Sequence, residues 1–302
     1  MNINHILTCI DMSPAARRLV EVSALMAERL GAKVTLFHVE PRPPAGVGET
    51  AGWKAFAESY AEARERAASE LTDTLDARGV SYDLASVAGT PRRAILDAIQ
   101  ARDVDLLILG SGGQGDATFG STVSRVLRLA DVPVMVVPSR GEPGEMAWTF
   151  NRILAPTDFQ ETSDAGLRAV RDLARRVSAG VSVATVVQWP RRTGLLAVQD
   201  GAAELPREIS TLVEQAKTAL VEQARGVGLT TALPHVVGGV RTSEALAGLA
   251  GELGADLIAL PSLGKGAIAR IMLGSTTERL VQISPVPVLV FPRAALERHG
   301  DL

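Results

Sequence analysis

The sequence predicts two tandem domains of the α/β class, each a doubly wound parallel sheet with helices on both faces. Short, continuously apolar runs alternate with longer segments of helical periodicity, which is typical of parallel strands buried on both faces. The alternation occurs twice in the same order, as expected for a duplicated domain. The length of 302 residues suffices for two ordinary domains.

Apolar runs and helix-boundary signals predict the elements of the first half. Ser13 and Pro14 form a cap and a first turn, the following segment carries a helical apolar stripe, and Gly31 ends it. We expect strands over residues 5–10, 33–39, 81–87, 106–109 and 132–138, and helices over residues 15–30, 54–78, 91–101 and 123–129.

The second half repeats this order with small insertions. Asp158 takes the place of Asp11, 147 residues later, and Pro287 takes the place of Pro133, 154 residues later. The first domain is expected to span residues 1–140 and the second residues 148–296, joined by a polar segment rich in glycine and proline. We expect strands over residues 151–158, 181–187, 231–237, 256–260 and 286–292, and a long helix over residues 203–225.

Composition excludes several classes of function. The formal charge of −3 argues against a protein whose main function is to bind a nucleic-acid backbone. A single cysteine, Cys9, allows no intramolecular disulfide and indicates a reducing compartment, so we expect a cytoplasmic protein. We expect no signal peptide and no membrane helix, because no apolar run approaches the roughly 18 residues that a span needs. The four histidines are scattered, and none has zinc-ligand spacing.

Two glycine-bearing loops are the strongest functional signal. The first follows the strand over residues 106–109, contains Gly110 and Gly113, and enters a helix at Gly120, Ser121 and Thr122. Its counterpart follows the strand over residues 256–260. The candidate residues of this loop and of the helix start behind it are Pro261, Gly264, Lys265, Gly274, Ser275 and Thr276. Backbone N–H groups in such a loop and at a helix start have no intrahelical partner, so both loops predict anion sites.

Familiar catalytic and nucleotide motifs do not fit these loops. The first spells G-x-G-x-x-G, but it follows the fourth strand rather than the first of its domain. Gly264 and Lys265 are followed by Gly266 instead of the serine or threonine of a P-loop. Ser111 has leucine two residues before it and therefore is not in a nucleophile elbow. We assign no catalytic residue and no protein metal site.

The chain resembles the universal stress protein family, with two copies in one chain. The resemblance covers nearly all of both halves. It rests on Ala-Pro-Thr-Asp-Phe-Gln-Glu-Thr-Ser at residues 155–163, on Ala-Asp-Leu-Ile at residues 255–258, and on the closing pattern Pro-Val-x-Val-x-Pro in each half. It implies a Rossmann-like fold of the adenine-nucleotide alpha-hydrolase type. Proline at both ends of each closing strand predicts an edge strand.

The nucleotide-binding branch of that family carries G-x2-G-x9-G-[ST], and each half departs from it once. In the second half nine residues separate Gly264 from Gly274, but Pro261 replaces the leading glycine and removes one N–H donor. The first half keeps Gly110 and Gly113, but only six residues separate Gly113 from Gly120.

The resemblance implies an adenine nucleotide, ATP with Mg²⁺ between its phosphate oxygens, at the carboxyl ends of the strands. Adenine would lie near Asp11 and Val39 in the first half or near Asp158 and Val187 in the second. The phosphates would lie on the loop glycines and the following helix start. The closing strands pair between domains in the family, which implies a pseudo-dimer within the chain, and two chains are expected to associate as a homodimer.

Charge around the loops ranks the second site above the first. Lys265 and Arg270 lie between Gly264 and Gly274 and favour a polyphosphate, although Lys265 is equally consistent with a solvated loop charge. The corresponding segment of the first loop has no base and contains Asp116. One occupied site per chain is therefore consistent with the sequence, and so are two.

Structural alternatives remain for the candidate residues. Ser121 and Ser275 fit helix N-caps, a role that serine fills routinely. Asp11 and Asp158 fit a cap or a turn as well as a ligand contact. Cys9 fits a small core residue.

Three functional hypotheses follow. The first is an ATP-binding stress-response or regulatory protein whose nucleotide state controls its interaction with an unidentified protein partner. The second is an interaction module without nucleotide, indicated by Pro261 and the shortened first loop. The third is a slow ATP hydrolase or phosphotransferase, although no water-positioning base is evident.

Overall fold

The computed structural model describes residues 2–11, 13, 15–43, 45–112, 121–139, 148–188, 207–262 and 273–298. The chain divides into two compact units, residues 2–149 and residues 150–302. No helix among the described residues is long and apolar enough to cross a membrane.

The first unit alternates strands and helices along the chain. Its elements are β1 (His5–Ile10), α1 (Ala15–Leu30), β2 (Lys33–Glu40), α2 (Ala51–Asp76), β3 (Tyr82–Ala88), α3 (Pro91–Ala101), β4 (Leu106–Gly110), α4 (Ser121–Leu129) and β5 (Val134–Val137). Its strands pair in parallel in the order β3-β2-β1-β4-β5.

The second unit repeats that plan. Its elements are β6 (Arg152–Pro156), α5 (Glu161–Val177), β7 (Gly180–Gln188), α6 (Arg207–Gly226), β8 (Leu233–Gly239), α7 (Thr242–Glu252), β9 (Leu257–Pro261), α8 (Ser275–Ile283), β10 (Val288–Phe291) and α9 (Arg293–Arg298). Its strands pair in parallel in the order β8-β7-β6-β9-β10. The predicted fold class, two tandem doubly wound α/β domains, is confirmed.

The strand order creates one topological switch point in each unit. The chain moves outward from β1 through β3, then crosses back to place β4 on the other side of β1, with Leu7 beside Leu107. The second unit does the same with β6 and β9, where Leu154 lies beside Ile258. These four side chains are fully buried. Ligand crevices of open α/β sheets lie at the carboxyl ends of the strands at such a point.

Two aspartates fix the amino ends of the same central strands. One Asp105 carboxylate oxygen accepts the backbone N–H groups of Asn4 and His5, at 2.8 and 3.0 Å. The Asp256 carboxylate accepts those of Asn151 and Arg152, at 3.0 and 3.1 Å. The repeated Asp-Leu motif therefore joins the opening strand to β4 or β9, at the end of the sheet opposite the glycine loops.

The predicted elements agree with the structure to within a few residues at their ends. Helix α9 was missed, because six residues are too few to show a helical period. The closing strands β5 and β10 are the last strands in the strand orders of their own units.

In each unit the first helix packs against the end of the fourth strand through one glycine and one bulky residue, and the two units place the glycine on different elements. In the second unit α5 presents Gly166 to Pro261, and a Cβ on Gly166 would lie 2.8 Å from Pro261 Cδ. In the first unit the corresponding residues are Leu19 of α1 and Gly110, where an added Cβ would lie 3.5 Å from Leu19 Cδ1. The bulky residue is on the helix in the first unit and on the strand in the second. Gly166 therefore leaves space for Pro261, the proline that replaces the leading loop glycine.

We expect Gly166→Ala to destabilise the second domain by about 1 to 2 kcal/mol, because the new methyl group overlaps a rigid proline ring. Gly248→Ala is the matched control in α7, since a Cβ there meets no atom within 4 Å. That change should stabilise by about 0.5 to 1 kcal/mol. Urea unfolding followed by circular dichroism measures both. Pro261→Gly should remove most of the Gly166→Ala penalty, and equal effects at Gly166 and Gly248 would contradict the assignment.

We also expect stability to fall as the pH is lowered through the range below 6.5, with His235 as one cause. His235 Nε2 is buried and has no hydrogen-bond partner among the described residues, and burial lowers the pKa of His235 from its ordinary 6.5. The unfolded chain therefore takes up this proton before the folded chain does, which favours unfolding at low pH. His235→Leu should reduce the difference between urea midpoints at pH 7.5 and pH 5.5. An unchanged difference would exclude His235 as a cause.

Candidate functional site

In each half, the predicted aspartate and the residue that starts the glycine loop lie at the carboxyl end of the switch point. Gly110 ends β4, and Asp11 follows β1, the strand paired with β4. Pro261 ends β9, and Asp158 follows β6, the strand paired with β9. Each aspartate therefore lies at the same sheet edge as the start of the glycine loop in its unit.

Val39 and Val187 lie at this edge on the neighbouring strands. Ile10 pairs with His38, so the register extended by one residue places Val39 level with Asp11. Pro156 pairs with Ala184, which places Val187 one residue beyond the level of Asp158. Both valines are half-buried.

Both aspartates hold turns. Asp158 Oδ1 accepts the Ser163 hydroxyl at 2.6 Å and the Gln160 N–H at 3.3 Å, while Asp11 Oδ1 accepts the Ser13 N–H at 3.1 Å. The turn-holding alternative is therefore correct for Oδ1. The second oxygen of each carboxylate makes no hydrogen bond to a described residue, so it can accept a donor from outside the protein.

A polar network supports the turn around Asp158. The Thr157 hydroxyl donates to Gln223 Oε1 at 2.9 Å, and Gln223 Nε2 donates to Asp164 Oδ1 at 2.6 Å. Thr157 Oγ1 also accepts the N–H of Phe159 at 3.1 Å. Phe159 has a φ of 63°, a left-handed conformation that a bulky residue rarely adopts. Sequence reasoning missed Gln223, because it lies on α6 and carries no motif.

The base of the second glycine loop is closed by the protein's own backbone. The Gly274 N–H donates to the Ser262 carbonyl at 2.9 Å, and the Ser262 N–H donates to the Phe291 carbonyl at 2.9 Å. Because Gly274 uses its N–H in this way, it is not a phosphate donor here. The N–H groups of Ser275 and Thr276 have no partner among the described residues. Gly264 and Lys265 lie outside the described residues.

The N-cap of α8 is Gly274, so the alternative that Ser275 is the N-cap is wrong. Gly274 has extended backbone angles, φ −63° and ψ 140°, and its carbonyl accepts the first intrahelical bond from Glu278 at 2.9 Å. Ser275 is the first helical residue and is exposed.

The first glycine loop begins with the counterpart of the bond from Ser262 to Phe291 and differs at the next residue. The Ser111 N–H donates to the Val137 carbonyl at 2.9 Å, and the Gly112 N–H donates to the Ser139 hydroxyl oxygen at 3.1 Å. The first domain thus uses N–H groups at the loop start for its own structure. Ser121 and Thr122 are the first two residues of α4. Gly113 and Gly120 lie outside the described residues.

A buried arginine lies beside the first loop and was not predicted. Arg18 of α1 donates to the Pro138 carbonyl at 3.3 Å, and its guanidinium carbon lies 5.8 Å from the centre of the Trp148 ring. It is 8% exposed. Pro138 directly precedes Ser139, which binds Gly112, so α1 brings to the first domain a positive charge that the loop sequence lacks.

Comparisons with known proteins agree with the fold. A model of the universal stress protein family matches residues 2–138 and 149–292. Universal stress protein Rv2319c of Mycobacterium tuberculosis is 29% identical over 212 residues, which is 66% of this chain and 68% of the relative. A universal stress protein structure from Archaeoglobus fulgidus has a TM-score of 0.67 and 19% identity, covering 97% of this chain and 100% of that one.

A universal stress protein crystallised in complex with cAMP matches 46% of this chain and 100% of its own, with 21% identity and a TM-score of 0.36. The family model covers both units nearly end to end, and the Archaeoglobus structure shares the fold over almost the full length. This chain therefore belongs to the universal stress protein family and carries two tandem domains of it.

Proposed function

We propose that this chain is an adenine-nucleotide-binding stress-response protein, with its working site in the second domain. The observation that carries the proposal is the half-satisfied Asp158 carboxylate beside a glycine loop whose helix start presents unpaired N–H groups. A hydrogen-bond acceptor for a base and an anion site for phosphates therefore occur at one switch point.

Each part of an adenine nucleotide has a counterpart in this site. The exocyclic amine would donate to the free oxygen of Asp158, and the base would contact Val187. The N–H groups of Ser275 and Thr276, together with the Thr276 hydroxyl, would bind phosphate oxygens. Gly264 and Lys265 would complete the phosphate contacts from the loop.

Mg²⁺ would bind to the phosphates rather than to a protein cage. Among the described residues, no group of three or more histidine, cysteine, aspartate or glutamate side chains is arranged to hold a metal ion. Magnesium commonly takes substrate phosphates and water as ligands, so ATP with Mg²⁺ needs no dedicated protein site.

Nucleotide occupancy would regulate binding of a partner protein. A nucleotide that contacts residues of both β6–α5 and β9–α8 would favour one arrangement of these loops, and a partner that prefers this arrangement would bind more tightly. We place this activity in the cytoplasm. Association of the two domains as a pseudo-dimer, and of two chains as a homodimer, would offer the paired surfaces to such a partner.

Pro261 favours a second candidate function, an interaction module without nucleotide. Proline supplies no N–H at the position where the nucleotide-binding pattern has glycine. The packing of Gly166 against Pro261 nevertheless retains the strand end, and the helix start beyond the loop keeps its donors. Slow ATP hydrolysis is the third candidate and lacks a residue that would position water.

We expect Gly274→Asp to weaken ATP binding at least about tenfold, because a carboxylate at the start of α8 repels the phosphates. The backbone angles of Gly274 suit an N-cap, where aspartate is favourable, so the variant should fold. Gly274→Asn is the matched control, since it has the same shape and cap function without the charge. Isothermal titration with ATP and Mg²⁺ measures both.

Nucleotide that remains bound through gentle purification gives an independent test. Heat or acid release followed by chromatography should yield about one adenine nucleotide per wild-type chain and almost none from Gly274→Asp, as expected for one anion site at a helix start. ADP and cAMP serve as competing ligands. No released nucleotide, together with no thermal shift on adding ATP and Mg²⁺, would overturn the proposal in favour of the nucleotide-free module.

A further inference from the structure

Helix α2 reaches over the carboxyl end of β2 and places a tyrosine there. His38 is 5% exposed, and its Nδ1 donates to the Ile10 carbonyl at 2.8 Å. Since a carbonyl can only accept, the neutral ring has its free lone pair at Nε2, which accepts the Tyr60 hydroxyl at 2.6 Å. The rings of His38 and Tyr60 have centroids 5.9 Å apart. Tyr60 is therefore fixed to the last residues of β1 and β2.

A second contact one helical turn later fixes α2 to the same edge. Arg64 forms a salt bridge with Glu40, the last residue of β2, and donates to the Ser86 hydroxyl of β3 at 3.3 Å. Tyr60 and Arg64 together hold the exposed part of α2 against three strands. Only Leu71 and Leu75 of this helix are buried among the described residues, so these polar contacts set its position.

The Tyr60 hydroxyl lies at the same sheet edge as the two positions implied for a base in the first domain. Asp11 and Val39, the two positions implied for a base, directly follow Ile10 and His38, which carry the tyrosine. The pKa of Tyr60 is raised by burial and by the negative charges of Glu40 and Asp11, which agrees with a phenol near the Asp11 carboxylate. An aromatic ring with a hydroxyl group therefore lies beside the positions implied for a purine.

The second domain differs at each of these positions. Strand register places Thr185 in the position of His38. Ile209 takes the position of Tyr60, counted back from the buried pair Leu220 and Ala224 that corresponds to Leu71 and Leu75. At the end of β7, Gln188 donates to the Thr242 hydroxyl of α7 at 2.6 Å rather than to α6.

We infer that Tyr60 closes the base position of the first domain, so that the chain takes one adenine nucleotide and takes it in the second domain. The inference rests on the proposed function. The Tyr60 ring, positioned by α2 beside His38, is an internal substitute for a ligand, and release of α2 would open a second site. The duplicated chain would thus have one domain that binds nucleotide and one whose base position is filled by its own helix.

Titration of the full chain with ATP and Mg²⁺ tests this through the number of binding sites. Wild type should bind one equivalent, and Tyr60→Ile, which introduces the residue of the second domain, should bind two. Tyr82→Ile is the matched control, because it removes the only other tyrosine, whose hydroxyl donates to Asp76 away from this edge. That variant should bind one equivalent. Tyr60→Phe keeps the ring and should also bind one.

The double variant Tyr60→Ile with Gly274→Asp isolates the first domain and should bind one equivalent with the wild-type affinity, whereas Gly274→Asp alone shows only the weakened binding of the second domain. Two equivalents in wild type, or no gain in Tyr60→Ile, would overturn the inference. Zero equivalents in wild type would contradict the proposed function, and the gain or lack of gain in Tyr60→Ile would still decide whether Tyr60 closes the first domain. Should Tyr60→Ile fail to fold by circular dichroism, the milder Tyr60→Leu is titrated under the same criteria.

Discussion

The pairing of the opening strand with the fourth strand of each domain is the interaction on which the rest of the structure depends. It places β1 beside β4 and β6 beside β9, buries their central residues completely, and brings two chain segments about 100 residues apart to one edge. The aspartate that follows the opening strand and the start of the glycine loop that follows the fourth strand lie at one sheet edge because of this pairing. Without it, each would be an ordinary turn.

The two domains share this frame and have diverged at the edge where a ligand would bind. In the first domain the helix contributes Leu19 and the strand end contributes Gly110. In the second domain the helix contributes Gly166 and the strand end contributes the bulky Pro261. The loop base is closed by a backbone bond at Gly274 in one domain and by the Ser139 hydroxyl in the other. The framework contacts of the opening strand, in contrast, are the same in both. The contacts that build the sheet are therefore the same in the two domains, whereas the contacts around the ligand edge differ.

Much of the fold could be predicted from sequence, and less of the site. Continuous apolar runs located the central strands because these strands are buried on both faces, whereas the outer strands β3 and β8 are largely exposed or half-buried. Asp105 and Asp256 stood out as a repeated motif, but only the structure assigns them to the opposite end of the sheet. Gln223, Arg18 and the His38–Tyr60 pair were missed because their partners lie far away in sequence and no local pattern marks a contact between distant side chains. The ranking of the second loop depended on Lys265, which lies outside the described residues and stays a prediction.

The contact between Asp105 and the residues before β1 has a consequence for how the chain folds as it is synthesised. Asn4 and Asp105 are separated by 101 positions. Strand β1 is synthesised first, but it can pair with β4 only after most of the domain has left the ribosome. Until then β1 and β2 form an incomplete sheet with an apolar edge, a state open to pairing with other chains. Such long-range parallel pairing folds slowly, and the second domain repeats the same delay with a separation of 105 positions. Nascent chains of this protein would therefore depend on protection of that edge during synthesis of each half.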